Sequence, residues 1–159
     1  MNAGIAGGFT GQAEIGSLVV ATKIIAADLG AETNDGFNSL EELGFGQSCF
    51  NVDAALVSKV TRALQDADFP VYAKPVLTLS TVTGTQRTTN ELKSRFPEAG
   101  AEAMEGFGVA QAASLHGIPV LELRAISNVV GPRNRESWRI EEALRVLTRA
   151  MKLVMEELK

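Results

Sequence analysis

"AMEGFGVAQAASLHGIPVLELRAISN", residues 103–128, carries the reading of the fold. A strand end breaks at Met104-Glu105-Gly106 into a run of small residues, read as a helix. Gly117 closes it, as glycine does where a helix ends in the left-handed region. "IPVLELRAISN" (118–128) follows as a strand. Strand end, helix and strand in succession are the grammar of an α/β domain.

The flanking segments obey the same grammar. "NAGIAGGF" (2–9) reads as the end of a buried strand breaking into a glycine-rich loop. "IGSLVVATKIIAADLGAE" (15–32) is dense in Val, Ile and Ala and predicts one or two buried strands. Residues 33–50, rich in Gly and Asn, read as an irregular surface loop. "NVDAALVSKVTRALQDA" (51–67) predicts a helix capped by Asn51 or Asp53, with Leu56, Val57, Val60 and Leu64 at helical spacing. "AKPVLTLSTV" (73–82) is a strand in which Pro75 marks the start or an edge. "TTNELKSRF" (88–96) is a short helix that stops before Pro97. In "ESWRIEEALRVLTRAMKLVMEEL" (136–158), the last helix, Ile140, Leu144, Leu147, Met151, Val154 and Leu158 form one apolar stripe. The sum is one α/β domain over residues 1–159 with a mixed or mostly parallel sheet.

Composition narrows the function classes. Hydrophobic residues make up 45% and charged residues 21%, which suits a globular core and not a disordered chain. The net charge of -4 is spread without a basic run, so nucleic acid is not expected as a partner. No stretch reaches the ~20 apolar residues of a membrane span, and no secretion signal opens the chain. A single cysteine, Cys49, excludes an internal disulfide, and with a single histidine, His116, a His/Cys zinc site is not expected. A reducing cytoplasm fits these features.

Four segments carry candidate chemistry. The opening glycines allow backbone to approach a ligand, or simply make a turn. Glu105, at a strand-to-helix junction before Gly106, can accept from two neighbouring sugar hydroxyls, and Met104 offers an apolar surface beside it. The alternative is a helix N-terminal acid favoured by the macrodipole. Arg124 is a charge inside an apolar strand and needs a partner if buried. Glu122 is read as pointing to the opposite face and so as a poor partner. Asn128 closes that strand, and its amide can donate and accept at once. "STVTGT" (80–85), with Thr83 inside it, lines a pocket or shapes a hydroxyl-bonded turn, the turn being favoured. His116 reads as a helix C-terminal residue, Cys49 as a bystander, and Trp138 as core or interface.

These pieces, in this order, resemble the nucleoside phosphorylase and nucleosidase superfamily. "NAGIAGGF" is similar to its glycine loop, "AMEG" to its Met-Glu ribose motif and "RAISN" to its base-binding strand. The resemblance implies a three-layer α/β/α fold with a mixed central sheet. It also implies that this sequence matches the C-terminal two-thirds of such a domain. The first strands, and an acidic residue that activates water, would then precede residue 1. Residue by residue, it implies that Ala6 and Gly7 run along a nucleoside and that Met104 packs on the ribose. Glu105 would hold the ribose hydroxyls, and Asn128 would contact N7 of the purine. Phe50 resembles an aromatic that reaches a neighbouring subunit's site.

The departures from the pattern are informative. Adenine-cleaving members have Asp at the position of Asn128; the amide suits a 6-oxopurine, whose N7 and O6 are both acceptors. Phosphorylases hold phosphate with Arg and Ser where this chain has Asn2 and Ile5, so water is the expected second substrate. The tail, "AADLGAE" and "STVTGT" look most like one hydrolase branch that releases hypoxanthine. The acid before the Met is replaced by Ala103. The aromatic expected near Gly84 or Thr85 is absent, so base stacking is expected from elsewhere, with Phe107 as candidate. No metal or organic cofactor is implied. The partner implied is a purine nucleoside, and the assembly implied is a homo-oligomer.

Overall fold

The computed structural model, which describes Met1–Lys159, has eight strands and five α-helices, the first four strands preceding any helix. They are β1 (Asn2–Gly8), β2 (Leu18–Ala26), β3 (Gly30–Thr33), β4 (Gly36–Ser39), α1 (Leu40–Leu43), β5 (Cys49–Asn51) and α2 (Ala54–Asp66). There follow β6 (Val71–Thr78), α3 (Gln86–Arg95), β7 (Ala101–Ala103), α4 (Gly106–Leu115), β8 (Glu122–Val129) and α5 (Ile140–Glu157).

The central sheet is mixed, in the order β5-β2-β6-β7-β1-β8. β1–β8, β2–β6 and β6–β7 run parallel; β1–β7, β2–β5 and β2–β8 run antiparallel. The sheet also closes on itself. Leu18–Val20 of β2 pair with Leu123–Ala125 of β8, while Lys23–Ile25 further along the same strand carry β5. Helices flank the sheet: α5 packs on β8 and β1, α4 on β2, β5 and β6, and α2 on β2, β6 and α5. Cover on both faces explains why Leu18–Ala21 and Glu122–Ser127 are buried without alternation. A smaller cluster of Phe9, Leu77, Leu79, Leu92 and Val130 lies under α3.

Caps set the helix limits. Asp53 accepts from the Leu56 N–H at 2.8 Å and starts α2. Thr85 accepts from the Thr88 N–H and starts α3, so the hydroxyl-rich stretch, read as a pocket lining or a turn, holds a helix cap that was not expected. Gly117, at φ 63°, follows α4 as expected.

Four expectations need correction. Residues 33–50 are not irregular: they hold the second strand of a β3–β4 hairpin, α1 and β5. Short, exposed strands show no apolar alternation, so nothing in the pattern marked them, and β3 is exposed instead of buried. Pro75 lies inside β6, neither at its start nor at an outer edge. It faces a register slip in β2 between Ala21 and Ile24, where its missing N–H breaks no regular ladder. On α5 the buried face is Ala143, Leu147, Ala150 and Val154, while Ile140, Leu144 and Leu158 are exposed. Two small alanines allow close packing and rotate the helix away from the larger side chains. Fourth, Glu122 and Arg124 share a face, as residues two apart in a strand must. Arg124 Nε donates to Glu122 Oε1 at 2.7 Å.

Candidate active site

The four segments meet in one cleft. Ile5, Ala6 and Gly7 come from β1, Val82 and Thr83 from the β6–α3 loop, Glu102–Glu105 from the β7–α4 junction, and Ser127 and Asn128 from β8. Six expected residues, Ala6, Gly7, Thr83, Met104, Glu105 and Asn128, therefore lie together.

Glu105 stands at the N-cap position of α4 but makes no side-chain cap bond. Its carboxylate instead takes Arg124 Nη1 at 2.9 Å while staying well exposed. Arg124 is 2% exposed and also bonds Glu122, which is wholly buried. Asn2 Nδ2 adds a donor to Glu122 Oε1 at 3.3 Å. A buried cation thus sits between two acids, one of them deep and one facing the cleft. Burial pushes the Glu122 carboxyl above its usual range, with Arg124 opposing. Only glycine fits at 106, because a Cβ there would collide with both Glu122 carboxylate oxygens.

Asn128 owes its aim to a β-bulge. Ala6 pairs with Ile126 and Gly7 with Asn128, leaving Ser127 as the extra residue. Ser127 Oγ donates to Asn128 Oδ1 at 2.8 Å and fixes the amide. Asn128 Nδ2 gives one hydrogen to the Val129 carbonyl and keeps the other free.

Two cleft residues escaped the sequence reading. Trp138, expected as core or interface, lines the cleft, whereas Phe107, the expected stacking candidate, is not among its lining residues. Phe107 instead packs on Phe50, ring centroids 5.4 Å apart. No local pattern marks Trp138 as a site residue. Glu102 had a signal: a charge between two alanines, as Arg124 is a charge between Leu123 and Ala125. It is 6% exposed, and Oε1 accepts the Thr83 N–H at 2.8 Å. Burial raises its carboxyl above the usual range. Phe50 is not brought to the cleft; it is buried in the main core. His116 caps α4 as expected, and burial pushes the Cys49 thiol up, away from nucleophilic character.

The sequence and the fold match known proteins. The family model of the phosphorylase superfamily matches residues 1–159, and the chain belongs to that family. Within it, the chain is 57% identical over 153 residues to a futalosine hydrolase of Streptomyces coelicolor, covering 95% of this chain and 62% of that protein. It is 30% identical over 158 residues to a futalosine hydrolase of Thermus thermophilus, covering 97% and 68%. The chain therefore spans about three-fifths to two-thirds of these relatives. Its fold matches the native structure of futalosine hydrolase of Helicobacter pylori with a TM-score of 0.83 at 20% identity, over 97% of this chain and 66% of that one. An S-adenosylhomocysteine nucleosidase of Streptococcus pyogenes gives 0.86 at 22%, over 99% and 67%.

Proposed function

We propose that residues 1–159 form one nucleosidase-like domain that serves hydrolysis of the N-glycosidic bond of futalosine, releasing hypoxanthine. The observation that carries this reading is the convergence of Gly7, Met104, Glu105 and the oriented Asn128 in one cleft. Strong identity to relatives named futalosine hydrolase supports the choice within the superfamily.

The chemistry follows from the groups. As the bond from ribose C1′ to purine N9 breaks, its electron pair passes into the base and the sugar becomes oxocarbenium-like. Asn128 Nδ2 meets the charge developing at N7 or O6. Glu105 accepts from the 2′- and 3′-hydroxyls, and its charge favours the cationic ring. Arg124 holds Glu105 in place. Met104 packs on the sugar, Ala6 and Gly7 run along the nucleoside, Thr83 borders the base, and Trp138 stacks on it. Water adds to C1′ and loses a proton, and the purine takes one up. The scheme needs no metal or organic cofactor. Phe50 lies outside this set, its proposed role being at the neighbouring subunit's site.

The other product, dehypoxanthine futalosine, would enter menaquinone biosynthesis in the cytoplasm. A homo-oligomer fits the exposed apolar side chains Phe45, Leu115 and Ile118. The test is hypoxanthine release from futalosine by the purified protein, with and without phosphate, beside inosine. Phosphate-independent release from futalosine supports the reading; phosphate-dependent release, or preference for inosine, overturns it.

A further inference from the structure

β7, β1 and β8 are neighbours, and the ladder sets Glu102, Gly7 and Asn128 in one row across them. Adjacent strands lie about 4.8 Å apart, so the acid and the amide stand two spacings apart. Between them is a residue with no side chain. A Cβ on Gly7 would lie 3.2 Å from Asn128 Nδ2 and 2.9 Å from Val130 Cγ2. The row is an acceptor, a bare floor and a donor.

Glu102 is left with one idle oxygen. Oε1 takes the Thr83 N–H, whereas Oε2 is buried with no partner. The six ion pairs of the chain do not include it. Glu122 Oε2 is also without a donor, but its carboxylate is paired with the Arg124 cation and is not part of the cleft lining. The Glu102 oxygen has neither a cation nor a donor and is unfavourable unless a ligand at the cleft supplies one.

We propose that Glu102 is a specificity-determining residue that reads the base: its free oxygen accepts the N1–H of a 6-oxopurine while Asn128 donates at N7 or O6. This rests on the cleft being the purine site proposed above. A 6-oxopurine carries hydrogen on N1, and a 6-aminopurine carries a lone pair there. The carboxylate therefore bonds the first and repels the second. The two ends of the row select the same base from opposite edges, and a site built around a substrate N–H strongly rejects the analogue lacking it.

The test pairs a variant with a ligand change. Hypoxanthine, 1-methylhypoxanthine and adenine are titrated calorimetrically into wild-type protein and Glu102→Gln, beside futalosine turnover. Wild-type protein should bind hypoxanthine and lose about 10–100-fold with 1-methylhypoxanthine. Glu102→Gln should weaken hypoxanthine by a similar factor and narrow the gap to adenine, because its amide can donate to the adenine N1. The glutamine can still accept the Thr83 N–H, and the methylated base tests the wild type alone should the variant not fold. Equal binding of hypoxanthine and 1-methylhypoxanthine overturns the assignment. So does a fall in turnover with base binding unchanged, which would place Glu102 at the sugar. Futalosine turnover without base discrimination removes this inference and leaves the proposed function. Discrimination through Glu102 without turnover leaves the base subsite and removes the hydrolase reading.

Discussion

The two ends of β1 handle buried acid in opposite ways. At the Asn2 end, Glu122 lies in register with β1 and has Arg124 at 2.7 Å and Asn2 at 3.3 Å. At the Gly7 end, Glu102 lies in register across the strand and has one backbone N–H. Burial raises both carboxyls above the ordinary range. The first acid has a buried cation on Oε1, its Oε2 being without a donor, and it anchors the geometry of Glu105 through Arg124. The second also has a donor on Oε1 alone, but it has no cation and it lines the cleft. The cation, not the number of satisfied oxygens, separates an acid tied into the structure from the one proposed to meet a ligand.

Breaking the first end should have the largest effect. Arg124→Leu leaves Glu122 buried without its cation, a loss of about 3–5 kcal/mol. For a chain of this size that lowers Tm by roughly 10 °C, read by circular dichroism. The double variant Glu122→Leu/Arg124→Leu should recover much of the loss, since an apolar pair of similar volume replaces a desolvated ion pair. A single variant with unchanged Tm would dissolve the contrast between the two ends.

Changes at the cleft should act on rate and spare the fold. Glu105 is well exposed and Asn128 partly so. Glu105→Gln and Asn128→Ala are each expected to lower futalosine turnover by about 10²–10³-fold, with Tm held within a degree or two. Comparable loss of stability in either variant would make these residues structural, as Glu122 is.

The chain order of strands and helices was legible because apolar periodicity and end signals are local. Thr85, Asp53 and Gly117 ended or began helices where their chemistry requires. The closure of β8 on β2 was not legible, since pairing between residues 18–20 and 123–125 leaves no local trace. The bulge at Ser127, which aims Asn128, is equally silent. The Glu122–Arg124 pair was legible and misread: a spacing of two puts both side chains on one face. Glu105, Met104, Gly7 and Asn128 were found as motifs, whereas Trp138 reaches the cleft from a turn (Arg135–Ser137) with no pattern of its own.

Trp138 sharpens the contrast from the ligand side. Stacking on an aromatic is worth about 1–3 kcal/mol per base, so Trp138→Ala should raise KM for futalosine by roughly ten-fold or more. Its kcat should change less, because stacking acts on the bound base before and during bond breaking alike. Equal KM in the variant would mean that the base sits elsewhere.

The smallest effect is a stability difference that depends on pH. Glu102 titrates higher in the folded protein than in the unfolded chain, because burial disfavours its charge. The contribution of such a group is fully present below the unfolded pKa of about 4.3. It is lost as pH rises through the folded value, because the folded state must then hold the charge. Glutamine does not titrate. Glu102→Gln should therefore gain stability relative to wild type between acid and neutral pH, by about 1.4 kcal/mol for each unit of upward shift, read as a rise in relative Tm. Thermal melts of both proteins across that range measure it. A gap that stays constant with pH would mean that Glu102 finds a second donor in solution, and the two ends of β1 would then treat their acids alike.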